Sequence, residues 1–293
     1  MYPANFEYLK PNSISDAISL LHQYGDDAKL LAGGQSLVPM MKLRVARPKY
    51  LIDIHRIADL SYIREDGGEI RIGATTRHVE IEESPLIAAK IPMLREAASE
   101  IGDLQVRNRG TIGGGLVEAD PCGDYGPVAL ALNAQMKCIG PRGERVIPAV
   151  EFFTFAYTTA LEPDEILTEI VFPLPAKDSV GLYVKLEKVA GDFAIASAAV
   201  QLSLNASGAC REIGVGAAGG GTVPQKGATV EALLRGKKID AGLIEQAGRL
   251  IVENAEPIED MRGSGSYKKK ALSAILRRAL TEALRRAESA RTA

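Results

Sequence analysis

RNRGTIGGGLVEADPCGD, residues 107–124, places three adjacent glycines, Gly113 to Gly115, just after a basic segment. Glycine has no Cβ and tolerates positive φ, so such a run lets the backbone come very close to another group. Bare backbone N–H groups in this arrangement suit a phosphate or a diphosphate. A plain tight turn is the alternative for an isolated run, so the weight of this stretch depends on the rest of the chain.

A glycine pair also follows an early apolar stretch. Lys29–Ala32 is typical of a strand that ends at Gly33-Gly34. Ser36 is then placed to cap a helix with Pro39 in its first turn, where proline is tolerated. The order strand, Gly-Gly, helix favours an anion site. On spacing alone, a simple turn between a strand and a helix remains open.

Hydrophobic spacing predicts the surrounding elements. A first helix has apolar residues at i, i+3, i+4 and i+7 from Ile14, with Ser13 as its cap and Gly25 after its end. Further helices are predicted over 92–101 and from Asp124 through Leu132. Short strands are predicted over residues 50–54, 69–73, 135–139 and 165–172.

Pro173-Leu174-Pro175 interrupts regular structure, so the sequence predicts a boundary near residue 176 between domains 1–176 and 177–293. Beyond it, strands precede helices, an order typical of an α+β module. The strands are predicted over 181–189, 195–204 and 211–217, and the helices over 230–234, 243–254 and 267–287. The last helix is expected to pack through its leucines and to expose a basic face, with binding to a membrane surface as the alternative.

Composition excludes several classes of protein. The chain has 293 residues, 46% hydrophobic and 25% charged, with a formal net charge of −2, so no nucleic-acid partner is expected. Cys122, Cys138 and Cys210 are widely spaced, which predicts no disulfide framework and favours the reducing cytoplasm. The three histidines do not cluster, so no metal held by this chain is expected. Neither a signal peptide nor a membrane span is expected.

No nucleophile motif accompanies the glycine runs, and no catalytic residue is predicted. A third glycine cluster, Gly216 to Gly221, is interpreted as a turn, because Pro224 prevents the helix that a dinucleotide fingerprint requires. Asp120 and Asp124 could act as a general base or as helix caps. Glycine loops without acid–base machinery suggest that a bound cofactor does the chemistry.

Several motifs in order carry a family resemblance. Ala32-Gly33-Gly34-Gln35-Ser36, then Asn108–Gly114, then Ala119-Asp120-Pro121 and Asp124 resemble the FAD-binding (medium) subunit of the molybdenum hydroxylases. This is the xanthine dehydrogenase and carbon monoxide dehydrogenase family. The two loops start at Ala32 and Thr111, 79 residues apart (111 minus 32), as the family has them. The similarity continues through residues 165–170, 183–185 and 191–194, so it covers nearly the whole chain.

The resemblance implies an α+β fold. Residues 1–176 would form the two α/β subdomains of a PCMH-type FAD-binding domain, shared with vanillyl-alcohol oxidase and UDP-N-acetylenolpyruvoylglucosamine reductase. Residues 177–293 would form a smaller C-terminal domain of the carbon monoxide dehydrogenase flavoprotein type. That domain is expected to contain a three-stranded antiparallel sheet with helices.

The resemblance also implies a set of cofactor-binding residues. The two glycine loops would hold the FAD diphosphate and part of the ribityl chain and flavin, mostly through backbone N–H groups. Asp124 would accept hydrogen bonds from cofactor hydroxyls, while Leu167 and Lys185 would contact the adenine or ring region. Ile101 would pack against flavin or adenine, and Phe193 stands where some relatives place an aromatic residue near the isoalloxazine. The full set is Ala32, Gly33, Gly34, Gln35, Ser36, Ile101, Thr111, Ile112, Gly113, Gly114, Gly115, Asp124, Leu167, Lys185 and Phe193.

The chain departs from the family pattern at two positions. Gly115 replaces the Asn that usually ends the second loop, which removes a side-chain amide near the flavin. Gln35 stands where the carbon monoxide oxidisers typically have His, which disfavours carbon monoxide as the substrate. In addition, three scattered cysteines cannot supply the four ligands of the extra iron–sulfur cluster found in the benzoyl-CoA-reducing branch.

The implied function is electron transfer in a cytoplasmic molybdenum hydroxylase. A large molybdopterin-binding subunit would oxidise an organic substrate, and a small subunit with two 2Fe–2S clusters would pass electrons to FAD in this chain. The acceptor is open among oxygen, a quinone and NAD, and a dimer of heterotrimers is expected. The alternative is a self-contained FAD-dependent oxidase or reductase with its own small substrate. The C-terminal part has only 117 residues (177–293) and neither glycine loop contains His, which disfavours that alternative.

Overall fold

The computed structural model describes residues 2–292, and its N-terminal elements form a small parallel sheet with two helices. These elements are β1 (Glu7–Leu9), α1 (Ile14–Tyr24), β2 (Ala28–Leu31), α2 (Leu37–Lys42) and β3 (Tyr50–Asp53). The strand order is β1-β3-β2, and both outer strands run parallel to β3. As predicted, Ser13 accepts a hydrogen bond from the Asp16 amide at 3.0 Å and Gly25 ends α1. The carboxyl ends of the three strands therefore meet at one edge, where the first glycine loop begins.

A five-stranded antiparallel sheet with helices forms the second subdomain, in the strand order β4-β5-β10-β6-β7. The last strand of this subdomain in sequence, β10, returns to the middle of the sheet and is buried along nearly its whole length, including its polar residues Thr168 and Glu169. The elements are β4 (Ile63–Asp66), β5 (Glu69–Gly73), α3 (His78–Glu83), α4 (Pro85–Lys90), α5 (Pro92–Ser99), α6 (Leu104–Arg107), α7 (Ile112–Glu118), α8 (Tyr125–Ala131), β6 (Gln135–Gly140), β7 (Gly143–Pro148), α9 (Ala149–Phe152), β8 (Phe153–Phe155), β9 (Thr158–Thr159) and β10 (Ile166–Pro173).

The C-terminal part is an antiparallel sheet covered by helices, in the strand order β11-β12-β13-β14. Its three long strands agree with the prediction, and the two-residue β14 extends the sheet at the β13 edge. The elements are β11 (Ser179–Leu186), β12 (Ala196–Leu204), β13 (Cys210–Ala218), β14 (Gln225–Lys226), α10 (Ala228–Leu234), α11 (Ala241–Leu250) and α12 (Gly265–Thr292).

Helix α12 packs against this sheet through its apolar face. Leu272, Leu276 and Leu280 are fully buried in the C-terminal core, whereas Arg278 and Arg285 are exposed. This burial favours the prediction of a packed amphipathic helix over the membrane-surface alternative. Within residues 2–292, no helix combines the length and the apolar character needed to span a bilayer.

The two halves of the chain meet through very close backbone packing. A Cβ added to Gly214 would lie 2.0 Å from the Ala131 carbonyl oxygen, and one added to Gly216 would lie 1.9 Å from that of Pro127. Both glycines belong to β13 and both carbonyls belong to α8. Only glycine fits at these two positions. In the third glycine cluster, Gly216 therefore packs against α8, and the following glycines form the predicted turn. The boundary near residue 176 stays a prediction.

Candidate functional site

The first predicted loop exposes four successive backbone N–H groups. Residues 32–36 connect β2 to α2, and within residues 2–292 no protein acceptor is found for the N–H groups of Gly33, Gly34, Gln35 and Ser36. Gly34 has φ +74°, which bends the loop so that successive N–H groups can converge. Ser36 precedes α2, but its side chain makes no capping hydrogen bond. The loop thus offers the donors that an anionic group requires.

The second predicted loop is instead the start of a short helix. Thr111 caps α7 by accepting a hydrogen bond from the Gly114 N–H at 3.1 Å. The N–H groups of Ile112, Gly113 and Gly115 donate to backbone carbonyls of Thr76, Ala74 and Thr111. Four of the five N–H groups of this segment thus have protein acceptors, and its role in holding a diphosphate stays a prediction.

The glycines of the two segments serve close packing. A Cβ on Gly33 would lie 2.3 Å from the Arg109 carbonyl oxygen and 2.6 Å from the Gly110 Cα, so the two segments touch backbone to backbone. A Cβ on Gly113 would lie 2.6 Å from the Ala74 carbonyl oxygen. The two segments are therefore in direct contact, and their joint role in binding a cofactor stays a prediction.

Gly115 differs from its neighbours because it has room for a side chain. The nearest atom to a Cβ there is Tyr125 Cδ2 at 3.6 Å, an ordinary van der Waals distance. Gly114 and Gly115 are both exposed on α7, and neither has positive φ. Steric exclusion within the chain therefore does not explain glycine at position 115.

A buried histidine, His78, packs against the second segment. The Nδ1 of His78 lies 3.0 Å from the Tyr125 hydroxyl, and a Cβ on Gly110 would meet the His78 Nε2 at 2.6 Å. Burial, with a smaller effect of the Arg107 guanidinium, lowers the pKa of His78 to about 4. The imidazole is thus neutral at pH 7. Sequence reasoning missed this pair, because nothing in the spacing of His78 and Tyr125 joins them.

Asp124 and Lys185, both predicted cofactor residues, form a buried ion pair where the two halves of the chain meet. Lys185 Nζ lies 3.1 Å from Asp124 Oδ1 and donates to the Glu100 carbonyl at 2.8 Å, and the Tyr183 hydroxyl donates to Asp124 Oδ1 at 2.7 Å. Burial raises the pKa of Asp124 to about 6, while Lys185 and Tyr183 act in the opposite direction. Asp124 precedes α8 without capping it.

Ile101 and Phe193 lie near the same junction, and Leu167 lies in β10. Ile101 is half-buried just after α5, and Leu167 is buried in β10, whose Thr168 carbonyl accepts the Ala74 N–H at 2.9 Å. Phe193 is 42% exposed, and the Arg262 guanidinium carbon lies 5.6 Å from its ring centroid. The loop that carries Phe193 also touches Gly102, since a Cβ on Gly191 would lie 2.6 Å from the Gly102 carbonyl oxygen.

A second group of polar side chains that sequence reasoning missed lies beside the first loop. Asp53 at the end of β3 is hydrogen-bonded to Tyr8 and to His55. The pattern Asp-x-His directly after a buried strand was the available signal. No group of three or more His, Cys, Asp or Glu side chains arranged to hold a metal ion occurs in the described residues 2–292.

The residues present fit a dinucleotide cofactor. The first loop supplies four free N–H donors at a strand edge, and glycine at 33 and 113 brings the two segments together. The Thr75 hydroxyl is also buried without a partner in residues 2–292, next to the Ala74 backbone that packs on Gly113. Unsatisfied buried hydroxyls are uncommon, and a bound polar group is one common reason for them.

Comparison with known proteins covers the whole chain. Residues 4–175 match the family model "FAD binding domain in molybdopterin dehydrogenase", and residues 182–283 match "CO dehydrogenase flavoprotein C-terminal domain". The carbon monoxide dehydrogenase medium chain of Hydrogenophaga pseudoflava is 40% identical over 283 residues, which cover 97% of this chain and 98% of that protein. The 6-hydroxypseudooxynicotine dehydrogenase complex subunit alpha of Paenarthrobacter nicotinovorans is 35% identical, with 98% and 97% covered.

A solved structure shows the same architecture. The structure of carbon monoxide dehydrogenase from Hydrogenophaga pseudoflava, which lacks the Mo-pyranopterin moiety of its molybdenum cofactor, contains a chain 41% identical to this one. The two chains superpose with a TM-score of 0.96, covering 98% of this chain and 99% of that chain. The arrangement of the two glycine segments and the C-terminal sheet thus belongs to a known three-dimensional fold.

Proposed function

The chain belongs to the FAD-binding medium-subunit family of the molybdenum hydroxylases, and we propose that it carries electrons from an iron–sulfur partner through FAD to a terminal acceptor. The family places it in a molybdopterin-dependent oxidoreductase and favours this function over a self-contained flavin oxidase. Bound FAD supplies the redox chemistry that links a one-electron donor to an acceptor. The single observation that carries the proposal is the set of four free N–H groups at the first loop, held against the second glycine segment.

The chain's own residues bind and orient the cofactor in this proposal. The N–H groups of Gly33 to Ser36 donate to the diphosphate, and Ala32 leads the chain into that loop. The second segment, from Thr111 to Gly115, contributes shape, because its helix α7 presents Gly114 and Gly115 as a flat exposed face. A face without side chains lets a planar ring approach the backbone closely.

The C-terminal half completes the site from the other side. In this proposal the Asp124–Lys185 ion pair remains intact and holds β11 against the loop before α8. Any contact of the cofactor with these two residues is made at the periphery of the ion pair. Leu167 and Ile101 contribute apolar contact, and Phe193 covers the site at the junction. Asp192 pairs with Arg262 at 2.6 Å and holds the loop on which Phe193 lies.

Two partners complete the enzyme in this proposal. A large subunit with molybdopterin oxidises the organic substrate, and a small subunit with two 2Fe–2S clusters delivers electrons, with two such heterotrimers forming the complex. The relatives named above support this assembly, since they are medium chains or complex subunits. The cytoplasm is the proposed location, supported by three cysteines that are all free thiols.

The proposal is tested by reducing the flavin with and without the partners. The chain is co-expressed with the genes encoded beside it, and the purified complex is assayed for FAD, molybdenum and iron. On addition of an organic substrate without air, flavin absorbance should bleach in the complex and remain unchanged in the isolated FAD-loaded chain. A folded complex that contains no FAD, or an isolated chain whose flavin is reduced directly by the substrate, would contradict the proposal.

A further inference from the structure

Tyr8, Asp53 and His55 form a hydrogen-bonded cluster at the carboxyl edge of the parallel sheet. The Asp53 Oδ2 accepts from the Tyr8 hydroxyl, and its Oδ1 lies 2.7 Å from His55 Nδ1 and accepts the His55 N–H at 3.1 Å. Asp53 is only 3% exposed, whereas the His55 side chain is 31% exposed. The cluster therefore joins a buried carboxylate to an imidazole that reaches the surface.

Asp53 is held as a carboxylate by its partners. Burial by itself raises the pKa of Asp53, but the hydrogen bonds from Tyr8 and His55 outweigh it and lower that pKa. A buried carboxylate without any positive partner would be costly. The geometry supplies the Tyr8 hydroxyl, the His55 backbone N–H and the His55 ring as its hydrogen-bond partners.

The cluster lies one residue from the first glycine loop. In the parallel register, Asp53 pairs with Leu31, and the Ile54 N–H donates to the Leu31 carbonyl at 3.0 Å. Neighbouring strands are about 4.8 Å apart, so His55 and Ala32 leave the sheet side by side at the same edge. Ligands of open α/β sheets bind outside this edge.

Two arginines bring further positive charge to this part of the chain. Arg56 directly follows His55, and the Arg109 carbonyl touches Gly33 from the second segment. The hydrogen bond to Asp53 raises the pKa of Tyr8, and the charges of Arg56 and Arg109 act in the opposite direction. Asp53 is the carboxylate of the cluster.

We propose that His55 is a diphosphate-binding residue, with Asp53 as the residue that positions it. The Nδ1–H of His55 donates to Asp53, and the exposed Nε2–H donates to a phosphate oxygen of the dinucleotide beside the free N–H groups of the loop. The inference rests on the proposed FAD function and adds a side-chain ligand to a site otherwise made of backbone.

The chemistry of this contact requires N–H groups on both ring nitrogens. A ring that donates only from Nδ1 has a lone pair on Nε2 and would repel a phosphate oxygen. The contact is made to phosphate alone, so its loss should weaken the binding of FAD and leave the binding of a flavin without phosphate unchanged.

The experiment compares affinities for FAD and for riboflavin, which lacks phosphate. The assembled complex is freed of flavin, and binding is followed by quenching of flavin fluorescence. The variants are H55Q and D53N, and H22Q is the matched control because His22 is exposed on α1, away from this edge. Circular dichroism checks that each variant is folded.

H55Q should weaken FAD binding roughly 10- to 100-fold, the effect of losing one hydrogen bond to a charged group. Riboflavin binding should not change, and D53N should give a smaller loss that is again confined to FAD. Equal losses for FAD and riboflavin, or an H55Q complex that binds FAD like the unaltered protein, would overturn the proposal. If the unaltered complex bound no FAD at all, the proposed function itself would fail.

Discussion

Replacing Gly33 by alanine tests whether the two glycine segments form one binding site. The added Cβ would lie 2.3 Å from the Arg109 carbonyl oxygen and 2.6 Å from the Gly110 Cα. Both atoms belong to the backbone, so no side chain can rotate away to make room. Carbon and oxygen atoms that are not bonded approach to about 3.3 Å. The segments must therefore separate by about 1 Å.

A displacement of about 1 Å lengthens hydrogen bonds beyond about 3.5 Å, where they contribute little. Each hydrogen bond from the loop to a charged phosphate contributes about 1.5–3 kcal/mol. Losing one of them would weaken FAD binding by roughly 10- to 100-fold. The overpacking itself should lower the free energy of unfolding by about 1–3 kcal/mol, which most folded domains tolerate.

The assay is titration of the flavin-free complex with FAD, followed by fluorescence quenching, with urea unfolding of the same samples. Gly221→Ala is the matched control, because a Cβ there meets nothing closer than Gln225 Nε2 at 3.8 Å and the residue lies outside both glycine segments. The control should bind FAD normally. If Gly33→Ala bound FAD as tightly as the unaltered protein, the first loop would not hold the diphosphate against the second segment. An equal loss in both variants would show that the effect is not specific to the contact between the two segments.

Three further predictions concern the residues around the site. Gly115→Ala should raise the free energy of unfolding by about 0.5–1 kcal/mol, because glycine is a poor helix former. Gly113→Ala should lower the free energy of unfolding, since its Cβ would meet the Ala74 backbone at 2.6 Å. Urea unfolding of both variants tests this, and a Gly113→Ala variant more stable than the unaltered protein would contradict the prediction. The pKa of His78 is about 4 in the folded chain, below the ordinary histidine value of 6.5, so the unfolded chain binds a proton more readily between these values. Stability should therefore be full above pH 6.5 and fall by about 3 kcal/mol as the pH drops to 4. The same pH series on His78→Gln should lack this component, and an unchanged slope would refute the assignment. Lys185→Met should lower the free energy of unfolding, measured in urea, by about 3–5 kcal/mol, since it leaves the buried Asp124 carboxylate unpaired. Lys177→Met, at an exposed position, should have little effect on it. Equal stabilities of the two variants would show that the Asp124–Lys185 pair does not stabilise the fold.

Much of the fold could be predicted from local patterns. Ser13 and Gly25 mark the ends of α1, and the predicted strands and helices of the C-terminal part agree with the structure because their apolar spacing is regular. The first loop was also predictable, since a strand, a Gly-Gly pair and a helix start follow each other within a few residues. Each of these features depends on residues that are neighbours in sequence.

The second segment was harder to predict because tertiary packing overrides helix propensity there. Three adjacent glycines favour a loop, since each costs about 1 kcal/mol in a helix relative to alanine. The Thr111 cap and the contact of Gly113 with Ala74 outweigh that cost and produce α7. In the structure the run provides close packing at Gly113 and an exposed face at Gly114 and Gly115, and its role towards the cofactor stays a prediction.

Long-range polar pairs could not be predicted from spacing. Asp124 and Lys185 were each expected near the cofactor through the family resemblance, yet their mutual ion pair depends on how β11 packs against the loop before α8. The same holds for His78 with Tyr125 and for Tyr8 with Asp53, which are distant in sequence. Partners of this kind are selected by the fold, so only the assembled chain brings them together.

The backbone packing of α8 on β13 limits how this protein can be recombined with its relatives. Gly214 and Gly216 lie two residues apart on one strand face, and their partners, the carbonyls of Ala131 and Pro127, lie four residues apart on one helix face. A strand from a relative with a larger residue at either position could not be seated on this helix. A functional chimera would therefore need to take residues 125–131 and residues 210–218 from the same parent. A single crossover near the predicted boundary at residue 176 would separate these two segments, so functional crossovers in this family should lie before residue 125 or after residue 218.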